Sequence, residues 1–85
     1  MLRLGILGST NGTDMQAIID AIGQGKLNAK IKLVISNKQE AYILKRAQKN
    51  NILNKYISDK NLDRDRFGEL ITKNFIELNV DIILL

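Results

Sequence analysis

Leu2-Arg3-Leu4-Gly5-Ile6-Leu7 runs directly into Gly8-Ser9-Thr10-Asn11-Gly12-Thr13-Asp14, and a helical pattern opens at Met15. This junction constrains the fold more than any other stretch. A short, mostly apolar run ending in turn residues reads as a buried strand of a parallel sheet. Met15, Ile18, Ile19 and Ile22 then recur at i, i+3, i+4 and i+7, one face of a helix. Thr13 or Asp14 is expected to cap that helix, since either side chain can accept a bond from an orphan N–H. Gly23 and Gly25 are expected to end it, because left-handed positions past a helix favour glycine. A strand, a glycine turn and a helix N-terminus together make an anion site. The first helical N–H groups have no intrahelical partner, and the macrodipole adds partial positive charge. A phosphate held there accepts charge-assisted bonds of about 1.5–3 kcal/mol each.

The unit then repeats. Ile31-Lys32-Leu33-Val34-Ile35 reads as a second strand ending at Ser36-Asn37-Lys38. A second helix is expected from about Glu40 to Lys49, with Ala41, Leu44 and Ala47 on one side and Asn50-Asn51 at its end. Lys55-Tyr56-Ile57-Ser58 reads as a short third strand. Asp63 or Asp65 opens a third helix, whose stripe is Phe67, Leu70, Ile71, Phe75 and Leu78. Val80-Asp81-Ile82-Ile83-Leu84-Leu85 reads as a fourth strand. The order βαβαβαβ implies an α/β fold with a parallel sheet and right-handed crossovers. The last run has no polar alternation and expects cover on both faces, so the pattern reads as a truncated α/β domain. Left uncovered, such a strand invites self-association or pairing with a separate chain.

Composition narrows the function classes. At 85 residues there is room for one small core. No apolar run approaches the roughly 18 residues of a membrane span, and the start resembles no signal peptide. With no cysteine there is no disulfide framework, which fits the cytoplasm. The net charge is +4, but the basic residues are dispersed and only four aromatics exist, so a solvated surface is a better reading than a nucleic-acid interface. Histidine and cysteine, the commonest catalytic groups near neutral pH, are both absent.

The turn matches neither familiar phosphate motif. A P-loop needs a lysine after its last glycine, where this chain has Thr13-Asp14. A dinucleotide fingerprint needs G-x-G-x-x-G and an acidic residue near the end of strand two, where this chain has Ser36-Asn37-Lys38. Two readings remain: a plain strand-to-helix turn in which Gly8 and Gly12 supply unusual φ values, or a phosphate site built from main-chain N–H groups.

The stretch from Ile6 to Ile22, with its G-[ST]-N/D-x-Q-A-I pattern, resembles the start of the phosphoribosylglycinamide formyltransferase family. The resemblance continues through Val34-Ile35-Ser36-Asn37-Lys38, Ala41-Tyr42 and Lys45-Arg46-Ala47, and reaches Val80 to Leu85. It implies a Rossmann-like formyltransferase fold, with residues 1–85 as the N-terminal part of a single domain. It also implies formyl transfer from 10-formyltetrahydrofolate to glycinamide ribonucleotide in purine biosynthesis, with no metal. By the same resemblance, the backbone amides of Gly12, Thr13 and Asp14 hold the substrate phosphate. The family's usual residue at the third position is Asn, so the Asp14 carboxylate is expected to point away from a phosphate. Arg64, with Arg66 as its rival, matches a family arginine that contacts the formyl-folate. The alternative for Arg64 is an exposed residue paired with Asp63 or Asp65. The family's catalytic Asn, His and Asp fall beyond Leu85, so the chain alone is expected to be inactive. The other function class is a phosphate-ligand binding module or subunit without catalysis.

Overall fold

The computed structural model describes all residues from Met1 to Leu85. Its elements are β1 (Leu2–Leu7), α1 (Thr13–Gly23), β2 (Ala29–Ser36), α2 (Tyr42–Lys49), β3 (Asn54–Tyr56), α3 (Arg64–Glu77) and β4 (Ile82–Leu84). The strands form one sheet in the order β3-β2-β1-β4, and every pairing is parallel. The chain winds outward from β1 through β2 to β3, then returns to the other side of β1 as β4. Winding therefore reverses at β1, and the carboxyl ends of β1 and β4 flank the reversal.

Each face of the sheet carries its own core. Leu4 and Ile6 of β1, with Ala29, Ile31 and Val34 of β2, pack against Met15 of α1 and Ile43, Leu44 and Ala47 of α2. Leu33 and Ile35 of β2 pack against Ile71 and Phe75 of α3. This is the arrangement that right-handed crossovers produce when winding reverses after β3. A bulge makes the division possible. Leu4 pairs with Ile31 but Gly5 pairs with Leu33, so Lys32 is the extra residue in β2. In an unbroken strand Ile31, Leu33 and Ile35 would share one face. Past the bulge, Leu33 and Ile35 turn to α3 and Val34 to α1 and α2.

Several expectations are adjusted. β3 covers Asn54–Tyr56 instead of Lys55–Ser58, starting one residue earlier and leaving Ile57 and Ser58 outside it, and β4 pairs only over Ile82–Leu84 of the run from Val80 to Leu85. Val80 instead folds back on α3, its N–H donating to the Phe75 carbonyl at 3.2 Å. α2 begins at Tyr42 because Ala41 is extended, at φ −62° and ψ 132°. The bend before it is closed by the buried Ser36 hydroxyl, which accepts from the Lys38 N–H at 3.1 Å. Leu70 is not part of the α3 seam and is 39% exposed, whereas Ile71 and Phe75 are buried. Asp63 does open α3, its Oδ1 accepting from the Arg66 N–H at 2.8 Å. Gly25 and Asn51 are left-handed and follow α1 and α2 as expected, while Gly23 is the last helical residue.

The return to β4 is tied by a pair of residues far apart in sequence. The Arg3 N–H donates to Asp81 Oδ2 at 2.8 Å, its guanidinium donates to both carboxylate oxygens, and the Asp81 N–H donates back to the Arg3 carbonyl at 2.8 Å. The side-chain bonds from Arg3, followed by its backbone N–H, hold the Asp81 carboxyl below its ordinary pKa. A depressed carboxyl adds stability above its unfolded pKa and loses it as pH falls through the folded value. Asp81→Asn is therefore expected to destabilise the chain at pH 7 and to have a smaller effect in acid, as read by urea denaturation at pH 7 and at pH 2. A second expectation concerns Gly5. A Cβ there would lie 2.5 Å from the Phe75 ring, so Gly5→Ala should cost about 1–3 kcal/mol in the same measurement.

Candidate functional site

The junction that constrains the sequence lies at the reversal of the sheet. The Gly8 N–H extends the β1 ladder by donating to the Ile35 carbonyl at 3.0 Å. The chain then leaves the sheet and enters α1 through Gly12, which is left-handed at φ 74° and ψ 29°. The Gly12 carbonyl accepts the first helical bond, from the Gln16 N–H at 2.9 Å. The helix has no side-chain cap. Thr13 and Asp14 are the first two helical residues, so neither fills the capping role expected of it. The N–H groups of Gly12, Thr13, Asp14 and Met15 donate to no protein atom. They are the orphan donors of a helix start, collected at one point.

The reason Gly12 occupies this position is α2. A Cβ on Gly12 would lie 2.7 Å from Ile43 Cγ1 and 3.2 Å from its Cα, and one on Gly8 would lie 2.9 Å from Ile43 Cδ1. Both glycines allow the turn to lie directly against Ile43, but only Gly12 has a positive φ. For Gly8 the requirement is space, not backbone conformation. Two bonds fasten the same contact. The Ile43 N–H donates to the Thr10 carbonyl at 3.1 Å, and Arg46 Nε donates to the Asn11 carbonyl at 2.7 Å. Arg46 Nη1 also reaches Gln16 Oε1 at 3.4 Å, and its guanidinium lies 4.9 Å from the centre of the Tyr42 ring. Lys49 Nζ donates to the Tyr42 hydroxyl oxygen at 2.7 Å, which holds the phenol below its ordinary pKa.

A cleft of about 90 Å³ opens at this turn, lined by Gly8, Thr10, Gly12, Thr13 and Asp14 and reaching Leu85 beyond β4. Open α/β sheets bind ligands beyond the carboxyl ends of their strands, at the point where winding reverses. A larger recess of about 400 Å³ lies at the opposite end, among Ile19, Ile22, Ala29 and Ile52. It sits by the amino end of β2 and gathers no helix-start amides, so the smaller cleft is the better candidate.

Gly12, Thr13 and Asp14 come together here. The Asp14 side chain is exposed and makes no hydrogen bond or ion pair. Arg64 does not line the cleft. It is the first residue of α3, exposed, and the one ion pair of the structure is Arg3–Asp81, so the pairing with Asp63 or Asp65 given as the alternative for Arg64 is absent. Arg66 is likewise exposed and unpaired. Ile43 and Arg46 escaped the sequence reading. Ile43 has a weak signal, since it stands four residues before the buried Ala47. Arg46 falls within the family resemblance as part of Lys45-Arg46-Ala47, but nothing in the sequence gives it a role at the turn, because its partner Asn11 is 35 residues away.

A parallel sheet wound both ways from β1, with a glycine turn at the reversal, places the chain in the Rossmann-like α/β class. Residues 2–85 match the formyl transferase family model, and the chain belongs to that family. Its similarity within the family is to phosphoribosylglycinamide formyltransferases. It is 44% identical over 89 residues to the one from Dictyostelium discoideum, covering 94% of this chain and 43% of the relative. It is 38% identical over 86 residues to the one from Haemophilus influenzae, covering all of this chain and 41% of the relative. Among solved structures, glycinamide ribonucleotide transformylase 1 from Geobacillus kaustophilus superposes with a TM-score of 0.91 at 30% identity, over 98% of this chain and 45% of that one. The chain thus spans less than half the length of these relatives.

The clamp on Gly12 has a measurable consequence for folding. Gly12→Ala puts a side chain at a left-handed position facing Ile43. It is expected to destabilise by at least about 1–2 kcal/mol, the penalty of that backbone conformation alone. Equilibrium urea unfolding reads the change directly.

Proposed function

We propose that this chain is the substrate-phosphate-binding, N-terminal part of a phosphoribosylglycinamide formyltransferase domain. In this reading the whole protein moves a formyl group from 10-formyltetrahydrofolate to the amine of glycinamide ribonucleotide, in the cytoplasm. The observation that carries it is the cluster of four unpartnered amides, Gly12 to Met15, at the sheet reversal of a chain in this family. A phosphate monoester is the ligand group that can accept several N–H bonds at one point, and the helix dipole favours its charge.

Each residue then has a role. Gly12, Thr13 and Asp14 bind the phosphate through main-chain N–H groups, which places the ribose and glycinamide parts over the carboxyl ends of β1 and β4. Arg64 meets the folate. Its guanidinium is exposed and free of Asp63 and Asp65, so it can pair with a carboxylate of the ligand without first breaking an internal bond. The folate supplies the one-carbon group. The residues that activate the formyl carbonyl and move the proton belong to the remainder of the domain, and the 85-residue chain alone is inactive in transfer.

Calorimetry of the chain with glycinamide ribonucleotide and with the phosphate-free glycinamide riboside separates a phosphate site from a plain turn. Binding of the nucleotide alone is expected, and equal heats for both ligands would rule the reading out. Asp14 provides a signed test. Replacing its carboxylate with the neutral amide keeps the N–H and removes a charge near the phosphate. Two unit charges about 4 Å apart in water repel by about 1 kcal/mol, so Asp14→Asn is expected to tighten nucleotide binding roughly fivefold. Weaker binding by this variant would show the carboxylate to be a contact instead of a repulsion.

A further inference from the structure

We infer that Arg46 is a positioning residue for the phosphate turn, acting through the peptide that joins Asn11 to Gly12. The inference rests on the proposed phosphate role and adds to it a residue outside the turn, on another helix.

The argument begins with the peptide plane. A trans peptide points its C=O and N–H in opposite directions. The Asn11 carbonyl is drawn to α2 by Arg46 Nε at 2.7 Å, and the Thr10 carbonyl is drawn there by the Ile43 N–H at 3.1 Å. The N–H groups of the same two peptides, those of Gly12 and Asn11, must therefore face away from α2. Neither donates to any protein atom. By fixing the carbonyls, α2 sets the direction of the donors.

Charge strengthens the effect. The bond from Arg46 is charge-assisted and short, and it polarises the Asn11–Gly12 peptide so that its N–H becomes a better donor. The Gly12 N–H is thus polarised by a cation that stands outside the cleft, since Arg46 is not among the lining residues. The turn lacks the lysine that a P-loop would provide, and Arg46 supplies cationic character from behind.

Arg46 is itself held in place. Its Nη1 donates to Gln16 Oε1 at 3.4 Å, and Gln16 Nε2 donates to Asp20 Oδ1 at 3.0 Å. On its own helix it stands four residues after Tyr42, whose ring lies 4.9 Å from the guanidinium carbon. It is three residues after Ile43, which packs on Gly8 and Gly12. The guanidinium fork reaches two partners on two elements, the turn and α1. A lysine ammonium at the same position is a point charge on a flexible stem and lacks the planar fork that spans both.

The test uses the whole chain, with glycinamide ribonucleotide, the phosphate-free riboside and two variants, Arg46→Gln and Arg46→Lys. Arg46→Gln is expected to weaken nucleotide binding about tenfold, as for loss of one charge-assisted bond, with riboside binding unchanged. Arg46→Lys, which keeps the charge, is expected to restore no more than half of the lost binding free energy. Hydrogen exchange provides the readout that an ordinary surface role would not move. The Gln16 amide, bonded to the Gly12 carbonyl, should exchange faster in Arg46→Gln, while the Val34 and Ile35 amides of β2 remain protected. Unchanged nucleotide affinity in Arg46→Gln would overturn this inference and leave the phosphate reading intact. Full rescue by Arg46→Lys would also overturn it, since charge alone would then suffice. Failure of the unsubstituted chain to bind the nucleotide would overturn both.

Discussion

Much of this structure depends on the contact between Ile43 and the two glycines of the first turn. Ile43 fills the space that Cβ atoms on Gly8 and Gly12 would need, and its N–H holds the Thr10 carbonyl. That single approach explains why α1 starts at a left-handed glycine without a side-chain cap. With glycine at the cap there is no side chain to satisfy any of the four orphan amides that every helix start leaves. A side-chain cap would have satisfied one of them. The uncapped start has a cost in helix stability, and burial of Met15, Ile43, Leu44 and Ala47 between α1, α2 and the sheet offsets it.

The sheet serves the same end. Because winding reverses at β1, the turn after β1 stands beside the carboxyl end of β4 and not beneath a crossover. The two cores on opposite faces support β1 and β2 from both sides, as a parallel sheet requires. The outer strands are less well supported. Ile82 and Ile83 of β4 are 45% and 40% exposed, although their run reads as fully buried. The mismatch is consistent with a chain that spans less than half the length of its relatives.

The order of elements was legible because most have a local cause. Mostly apolar runs mark β1, β2 and β4, and helical stripes with glycine or asparagine stops mark the three helices, whereas β3 (Asn54–Tyr56) carries no apolar run. Features that depend on distant partners were not legible. The bulge at Lys32 leaves no trace in Ile31-Lys32-Leu33-Val34-Ile35, because both faces are buried and either register looks apolar. Thr13 and Asp14 have good capping chemistry, but the cap position is decided by Ile43, some 30 residues later in the chain. Leu70 fits the α3 stripe by spacing, yet it belongs to neither core and stays exposed, while Ile71 and Phe75 are buried. At the candidate site, the strand-to-helix turn itself was legible from its glycines and the family resemblance. Arg46 was not, because an arginine bonded to a backbone carbonyl looks like any other surface arginine in sequence.

Gly5 and Phe75 have a consequence of another kind. The Phe75 ring lies where the first carbon of any larger residue at position 5 would stand, and it is buried there. The two positions share one volume, so enlarging one requires shrinking the other. Among related chains they should drift as a pair, with a bulkier residue on β1 accompanied by a smaller one on α3. Substitution patterns at two sites seventy residues apart would then record how closely the third helix rides on the first strand.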